Sequence, residues 1–196
     1  MKFQDSVIAV SGTPGVGKTA VAKELSHKLN AIYLNLSNVV IEKKLYSEYD
    51  GERGTYVIDE EKIRDYVRSM IRQSRKLVIV DGHYGEIVDD DLLIKIFVLR
   101  LDPRILLKRL LSRSWPPAKI RENIESEILG ICTVNALSEH PESKVCEIDV
   151  TGKSVDEVVA EILNILHGRG NCRIGIDWLK DYSAINELLN FLAAAE

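Results

Sequence analysis

A glycine-rich run near the N-terminus has the residue types and spacing of a phosphate-binding loop. Residues 12–19 read GTPGVGKT, which fits the pattern G-x-x-x-x-G-K-[ST]. Glycines at these positions let the backbone turn tightly and direct N–H groups at phosphate oxygens. Lys18 can reach the β- and γ-phosphates of a nucleoside triphosphate, and the Thr19 hydroxyl can coordinate Mg²⁺. The run therefore predicts an ATP site that works with Mg²⁺.

A carboxylate that serves this metal is expected at the end of a neighbouring strand. The apolar run 78–80 (VIV) ends in Asp81, and Gly82 and His83 follow it. We predict that Asp81 acts on the metal, directly or through water, or holds the loop; a turn or helix-capping aspartate is the alternative. His83 is either a functional residue or a turn histidine. The three acids at 89–91 are expected to form a solvated loop.

Residues 100–121 are strongly basic, with seven basic side chains, one acid and a local charge of +6. Arginine forks can neutralise the charge that develops on a transferring phosphoryl group. Arg113 opens the proline-containing part of this stretch, so we predict that it closes over the phosphates. A solvated helix face and a contact with RNA phosphates are the alternatives. The basic residues are Arg100, Arg104, Lys108, Arg109, Arg113, Lys119 and Arg121.

The elements that must position these residues alternate between strand and helix. Alternation of this kind predicts one α/β domain with a five-stranded parallel sheet and helices on both faces. Apolar runs predict the strands at 6–11, 31–36, 76–80, 95–101 and 144–150. Helical spacing of apolar residues predicts the helices at 18–29, 60–72, 103–112, 118–137 and 154–166.

Composition excludes some classes of function. The net charge of −4 over 196 residues argues against binding nucleic acid by bulk electrostatics. No apolar run approaches the roughly 20 residues of a membrane span, and we expect a cytoplasmic protein without a membrane partner.

The three cysteines are sparse and are expected to be reduced thiols. Residues 168–196 read as a linker and a C-terminal helix at 177–195, which either packs back on the domain or docks a partner.

Several segments together resemble the adenylate kinase isoenzyme 6 family. They are GTPGVGKT, VIVDGH, FVLR-x-D, the acidic EYDGERGTYVIDEEKI, and RLLSRSWPPAKIRENIESEI at 109–128. The likeness covers residues 4–166. It implies a P-loop NTPase fold of the nucleoside-monophosphate-kinase type at 1–167, with a small monophosphate-binding insert at 35–58 and a short lid at 112–122. One departure lies at Ile41, where some members carry an arginine.

The resemblance also implies a function and a set of site residues. The family combines adenylate kinase and ATPase activities with small ribosomal subunit maturation, through a ribosomal protein of the subunit platform. We therefore favour transfer of a phosphoryl group from ATP to AMP, with ATP hydrolysis linked to the pre-ribosomal particle. One alternative is an ATPase switch for ribosome assembly; another is a small-molecule hydroxyl kinase with Asp81 as base. The implied catalytic residues are Lys18, Asp81, His83 and Arg113, the implied ATP contacts are Gly15, Gly17, Lys18, Thr19, Ala20 and Arg113, and the implied metal-site residues are Thr19 and Asp81.

Overall fold

The computed structural model describes residues 5–51 and 55–181, together with residues 183, 185, 186 and 188. A parallel five-stranded sheet lies at its centre in the order β2-β5-β1-β6-β7, as the alternating pattern predicted. These strands are β1 Val7–Gly12, β2 Ile32–Asn35, β5 Val78–Asp81, β6 Leu93–Arg100 and β7 Val145–Asp149. A separate antiparallel hairpin is formed by β3 Tyr46–Asp50 and β4 Thr55–Ile58.

Helices cover both faces of the sheet. Successive side chains of a strand point to opposite faces, so Ile8 and Val10 of β1 pack in one core while Val7 and Ala9 pack in the other. The helices are α1 Lys18–Leu29, α2 Leu36–Glu42, α3 Glu60–Ser74, α4 Pro103–Leu111, α5 Pro117–Leu129, α6 Ile131–Glu139 and α7 Val155–Leu166. Short 3₁₀ turns lie at Gly85–Ile87, Glu142–Lys144 and Trp178–Asp181.

The single helix predicted at 118–137 is wrong, because the chain breaks at Gly130 into α5 and α6. Gly130 adopts a left-handed conformation with φ of 67°. A β-carbon at this position would lie 3.0 Å from Nη1 of Arg100. The break therefore lets the Arg100 guanidinium pack directly against the backbone between the two helices.

The C-terminal segment packs back on the domain, which is the first of the two predicted alternatives. Glu147 of β7 donates its backbone N–H to the carbonyl of Arg173 at 2.8 Å. Residues 183, 185, 186 and 188 are helical, and Ile185 and Leu188 are buried in the core that contains Ile8. Most of the remainder of the helix predicted at 177–195 lies outside the described residues.

Two of the three cysteines form a disulfide, so the prediction of reduced thiols is wrong for them. Cys146 of β7 is bonded to Cys172, with 5.3 Å between their Cα atoms. The tail runs beside β7 and brings together two residues that are 26 positions apart, and nothing in their spacing indicates this. Cys132 remains a free thiol.

Among the described residues, none of the helices combines the length and apolarity that a membrane crossing requires.

Candidate active site

The glycine-rich loop joins the central strand β1 to helix α1 and requires glycine for steric reasons. Gly12 has φ of 132°, and a β-carbon there would lie 2.4 Å from the carbonyl oxygen of Leu99. Gly15 has φ of 103°, and its β-carbon would lie 2.8 Å from the Leu106 side chain. Positive φ and this close approach both exclude larger residues. The loop is therefore tightly packed against β6 and α4.

The start of α1 has the character of an anion site. The first N–H groups of a helix lack partners within the helix, and they carry its positive dipole end. Gly17 precedes α1 and supplies no side-chain cap, and the first turn holds no acidic residue. Lys18 lies in the same turn, and its Nζ donates a 3.1 Å hydrogen bond to the carbonyl of Thr13. Burial lowers the pKa of Lys18.

Asp81 ends β5 beside this loop and is almost fully buried, with 1% of its surface exposed. Its Oδ2 accepts hydrogen bonds from Thr19 Oγ1 at 2.8 Å, Tyr33 Oη at 2.7 Å and Asn35 Nδ2 at 2.8 Å. Burial and the bond to Asp81 raise the pKa of Tyr33, so it stays a donor. Sequence reasoning missed Tyr33 and Asn35. The clue was that β2 runs beside β5 with Asn35 opposite Asp81.

The donor set fits Mg²⁺ held mainly by a nucleotide. Thr19 and Asp81 offer hard oxygen ligands, which Mg²⁺ prefers. No group of three His, Cys, Asp or Glu side chains in the described part of the chain could hold a metal alone. Mg²⁺ is commonly bound by one or two protein groups together with phosphates and waters. The residues thus fit the ion as a partner of bound nucleotide.

His83 follows β5 and packs against Tyr84, with 3.8 Å between the ring centroids. Burial, followed by the charge of Lys18, lowers the pKa of His83 to about 4. The imidazole is therefore neutral at pH 7 and can donate one hydrogen bond and accept another. The Ser11 hydroxyl of β1 donates to the His83 carbonyl at 3.5 Å, which places His83 beside the start of the glycine-rich loop.

Arg113 follows α4 and is exposed, with its guanidinium 5.0 Å from the centre of the Trp115 ring. Its charge lowers the pKa of Lys18, after burial and the opposing effects of Cys132 and Asp81. Asp81, His83 and Arg113 therefore each lie within electrostatic reach of Lys18. Ala20 is exposed in the first turn of α1.

Comparisons with known proteins identify relatives of this chain. A family model described as "AAA domain" matches residues 8–130. A "Putative adenylate kinase" of Saccharolobus solfataricus is 42% identical over 176 residues, which are 89% of this chain and 88% of that protein. A protein of the same description from Methanocaldococcus jannaschii is 36% identical over 175 residues, which are 89% of this chain and 94% of that protein. The chain belongs to the family of these archaeal proteins.

Superposition on solved structures of other proteins shows the fold of this chain. Shikimate kinase from Aquifex aeolicus superposes with a TM-score of 0.53 at 16% identity, over 83% of this chain and 96% of that chain. Thymidylate kinase from Candida albicans gives a TM-score of 0.53 at 15% identity, over 84% and 92%. The predicted P-loop fold of the nucleoside-monophosphate-kinase type is confirmed.

The basic side chains of residues 100–121 do not form a single phosphate-binding surface. Arg100 is buried and bonded to Glu127 and Glu147, so it is not available to RNA in the folded protein. Arg104 forms an ion pair with Asp102. Arg109 donates to the carbonyls of Gly15 and Val16, and so braces the loop.

A polar cavity of about 180 Å³ has Tyr84, the residue after His83, in its wall. Glu86, Asn135 and Ser138 also line it. Oε2 of Glu86 is buried and has no hydrogen-bond partner among the described residues. Burial raises the pKa of the Glu86 carboxyl, which favours its protonated form. Sequence reasoning missed this cavity, because its walls come from separate elements.

Proposed function

We propose that this protein transfers the γ-phosphoryl group of ATP to AMP, giving two ADP, with Mg²⁺ as cofactor. The observation that carries the proposal is the bond between Thr19 and Asp81 beside Lys18. It joins a phosphate-binding loop to the carboxylate that such chemistry needs near the metal. The relatives described as "Putative adenylate kinase" support the same reaction.

Positioning and charge neutralisation carry the transfer. The N–H groups at Gly15, Gly17, Thr19 and Ala20 hold the phosphates, and Lys18 exchanges its bond to Thr13 for the γ-phosphate. Arg113 leaves Trp115 and neutralises charge on the transferring group. Bound Mg²⁺ supplies electrostatic stabilisation of the phosphates. The acceptor phosphate of AMP is already anionic, so no strong base is required.

The acceptor nucleoside is assigned to the polar cavity lined by Tyr84 and Glu86. With the proton that its raised pKa favours, the Glu86 carboxyl offers one donor and one acceptor, which matches the ring nitrogen and amino group of adenine. Its unpartnered Oε2 supports this assignment. In this proposal residues 35–58 form the monophosphate-binding insert and residues 112–122 form the lid of the 1–167 kinase domain. Ile41, which is 52% exposed on α2, supplies no charge to that insert.

ATP hydrolysis is the second proposed activity, and His83 is assigned to it. Hydrolysis needs a positioned water, whereas transfer to AMP does not. A neutral imidazole two residues beyond Asp81 can hold that water. We link this activity to small ribosomal subunit maturation in the cytoplasm, with a platform ribosomal protein as partner. The support for this link is the sequence resemblance.

A hydroxyl kinase with Asp81 as base is less favoured by the geometry. Asp81 Oδ2 already accepts three hydrogen bonds, so this oxygen is occupied by Thr19, Tyr33 and Asn35 rather than turned towards a substrate hydroxyl. A kinase of this kind needs AMP as its acceptor, whereas an assembly switch hydrolyses ATP without AMP.

The deciding experiment compares ADP formation from ATP with and without AMP. We expect AMP to accelerate ADP formation strongly and Lys18→Ala to abolish both rates. His83→Ala should lower AMP-independent hydrolysis by about 10²-fold and lower the transfer less. Hydrolysis that is indifferent to AMP but rises with ribosomal subunits would favour the assembly switch. Acceleration by a small alcohol instead of a nucleotide would favour the hydroxyl kinase.

A further inference from the structure

One buried carboxylate joins the phosphate-binding loop to the C-terminal segment. Glu127 of α5 is 1% exposed. Its Oε2 accepts a 2.6 Å hydrogen bond from the Thr13 hydroxyl. Its Oε1 accepts from Arg100 Nε at 2.9 Å, from the N–H of Leu101 at 3.1 Å and from the Trp178 indole N–H at 3.1 Å. Glu127 therefore contacts the loop with one oxygen and the tail with the other.

The tail is fixed at this place by a second buried carboxylate. Glu147 Oε2 accepts hydrogen bonds of 2.7 Å from the backbone N–H groups of Gly175 and Ile176. Its Oε1 accepts from Thr133 at 2.6 Å and from Nη1 of Arg100. Arg100 thus bridges the two carboxylates. The segment before Trp178 is tied to β7 through this contact and through the Cys146–Cys172 disulfide.

The charges of this cluster make its neutral donors important. One guanidinium faces two buried carboxylates, so the hydrogen bonds from the tail and the loop must offset the remaining negative charge. Removing a donor leaves a buried carboxylate oxygen less satisfied, and its other partners must shift. A shift at Glu127 reaches Thr13 directly.

Thr13 is the point where this cluster meets the phosphate site. Its carbonyl accepts from Lys18 Nζ at 3.1 Å and from the N–H of Val16 at 3.3 Å. Its hydroxyl donates to Oε2 of Glu127, and the Cys132 thiol also interacts with this side chain. A path of direct contacts therefore runs from Trp178 to the loop lysine.

We propose that the segment 173–178 is a positioning element of the nucleotide site, which acts through Glu127 and Thr13 on the phosphate-binding loop. The proposal rests on the proposed binding of ATP by this loop. The segment touches no substrate, so its effect is on the geometry of the loop that receives the phosphates. Loss of its contact weakens ATP binding in the ground state and the transition state alike, which raises KM more than it lowers kcat.

The first test is Trp178→Phe, which keeps an aromatic ring and removes the N–H donor to Glu127. We expect the KM for ATP to rise about threefold to tenfold, the range for one lost hydrogen bond, with kcat within about twofold. The matched control is Leu179→Ala, an exposed neighbour in the same tail that should leave both constants unchanged. Assays are run well below the unfolding midpoint of each full-length variant. An unchanged KM in folded Trp178→Phe would overturn the proposal.

The second test breaks the same path from the loop. Thr13→Val removes the hydroxyl, whereas Thr13→Ser keeps it and should lie closer to the wild type. In a double-mutant cycle, Trp178→Phe should add little to the KM of Thr13→Val, because both changes act through one path. Fully additive effects would contradict the path, whatever the single effects are. If Trp178→Phe fails to fold, Thr13→Val against Thr13→Ser still tests the contact of Glu127 with the loop, and an equal KM in these two variants would contradict the path.

The proposed ATP site and the role of the tail fail in different ways. Calorimetric titration of wild type and Lys18→Ala with a non-hydrolysable ATP analogue tests the site itself. Binding that is absent from the wild type would remove both proposals. Binding that depends on Lys18 but is indifferent to Trp178 and Thr13 would remove the tail proposal alone.

Discussion

Thr19 Oγ1 lies 2.8 Å from Asp81 Oδ2 and donates a hydrogen bond to it, across 62 residues of sequence. The contact joins the first turn of α1 to the end of β5. It therefore fixes a hydroxyl and a carboxylate at one edge of the sheet, and these are the two kinds of group with which P-loop NTPases hold Mg²⁺.

Asp81→Asn should weaken the response to Mg²⁺. The change keeps the shape of the side chain but removes the charge that orients Thr19, Tyr33 and Asn35. We expect a loss of about 10- to 100-fold in Mg²⁺ affinity or turnover, as for other groups that orient metal ligands. Initial rates against free Mg²⁺ measure it, with the exposed Ser37→Ala of α2 as control. An unaltered Mg²⁺ curve would contradict a metal role for Asp81.

Arg113→Ala should lower kcat more than it raises the KM for ATP. Arg113 is exposed and stacked on Trp115, so a contact with phosphate is made only after the segment moves. A contact made mainly in the transition state changes kcat. Steady-state kinetics of Arg113→Ala and of the exposed control Lys108→Ala on α4 test this. Full kcat in Arg113→Ala would remove it from the catalytic residues.

Substitutions at Glu86 should change the choice of acceptor. Glu86→Gln keeps one donor and one acceptor at the cavity wall and should preserve the preference for AMP. Glu86→Leu removes both and should lower kcat/KM for AMP by about 30-fold, which corresponds to two lost hydrogen bonds of about 1 kcal/mol each. Rates with AMP, GMP, CMP and UMP measure the preference. If both variants keep the wild-type order of acceptors, the base is not bound at Glu86.

His83 should remain neutral to unusually low pH in the protein without nucleotide. Burial, with the charge of Lys18, lowers its pKa to about 4, whereas an unfolded histidine titrates near pH 6.5. Between these values the unfolded chain binds a proton that the folded chain does not. The free energy of unfolding should therefore fall as the pH falls from about 6.5 to 4, by on the order of 3 kcal/mol from this group.

NMR titration and chemical denaturation check this expectation. The chain has four histidines, and His83→Gln assigns the resonance. The same substitution should flatten the acid side of the stability curve. A His83 resonance that titrates near pH 6.5 would show that the ring is solvated.

Thiol counts should reveal the disulfide. Protein denatured without reductant should show one thiol, that of Cys132, and reduced protein should show three. Reduction should lower the free energy of unfolding by about 3 kcal/mol, because it releases a loop of 26 residues in the unfolded chain. Three thiols before reduction would contradict the bond. In native protein Cys132 should react slowly, since burial raises its pKa to about 11.

The sequence predicted best where neighbours along the chain determine the structure. Helix α1 spans 18–29 as predicted, because the glycine-rich turn marks its start and Asn30 ends it in a left-handed conformation. The break at Gly130 was not predictable, since helical spacing continues across it and a single glycine is tolerated in helices. Its cause is the distant Arg100 packing against it.

The same distinction holds for the candidate site. Lys18 and Thr19 belong to one contiguous motif, so their placement followed from it. Tyr33, Asn35 and Glu127 reach the loop or Asp81 from other elements, and their roles depend on strand order and helix packing. Only the expectation that strands of a parallel sheet end at one edge could have suggested Asn35.

The tail beside β7 also bears on self-association. β7 is an edge strand of the five-stranded sheet, and an edge strand offers unpaired N–H and C=O groups to any other extended chain. Here Glu147 pairs in antiparallel fashion with Arg173, and the disulfide one residue earlier holds the covering segment in place. A strand from a second molecule would therefore have to displace this tail before it could pair with β7. Reduced protein should consequently form sheet-paired aggregates more readily than oxidised protein.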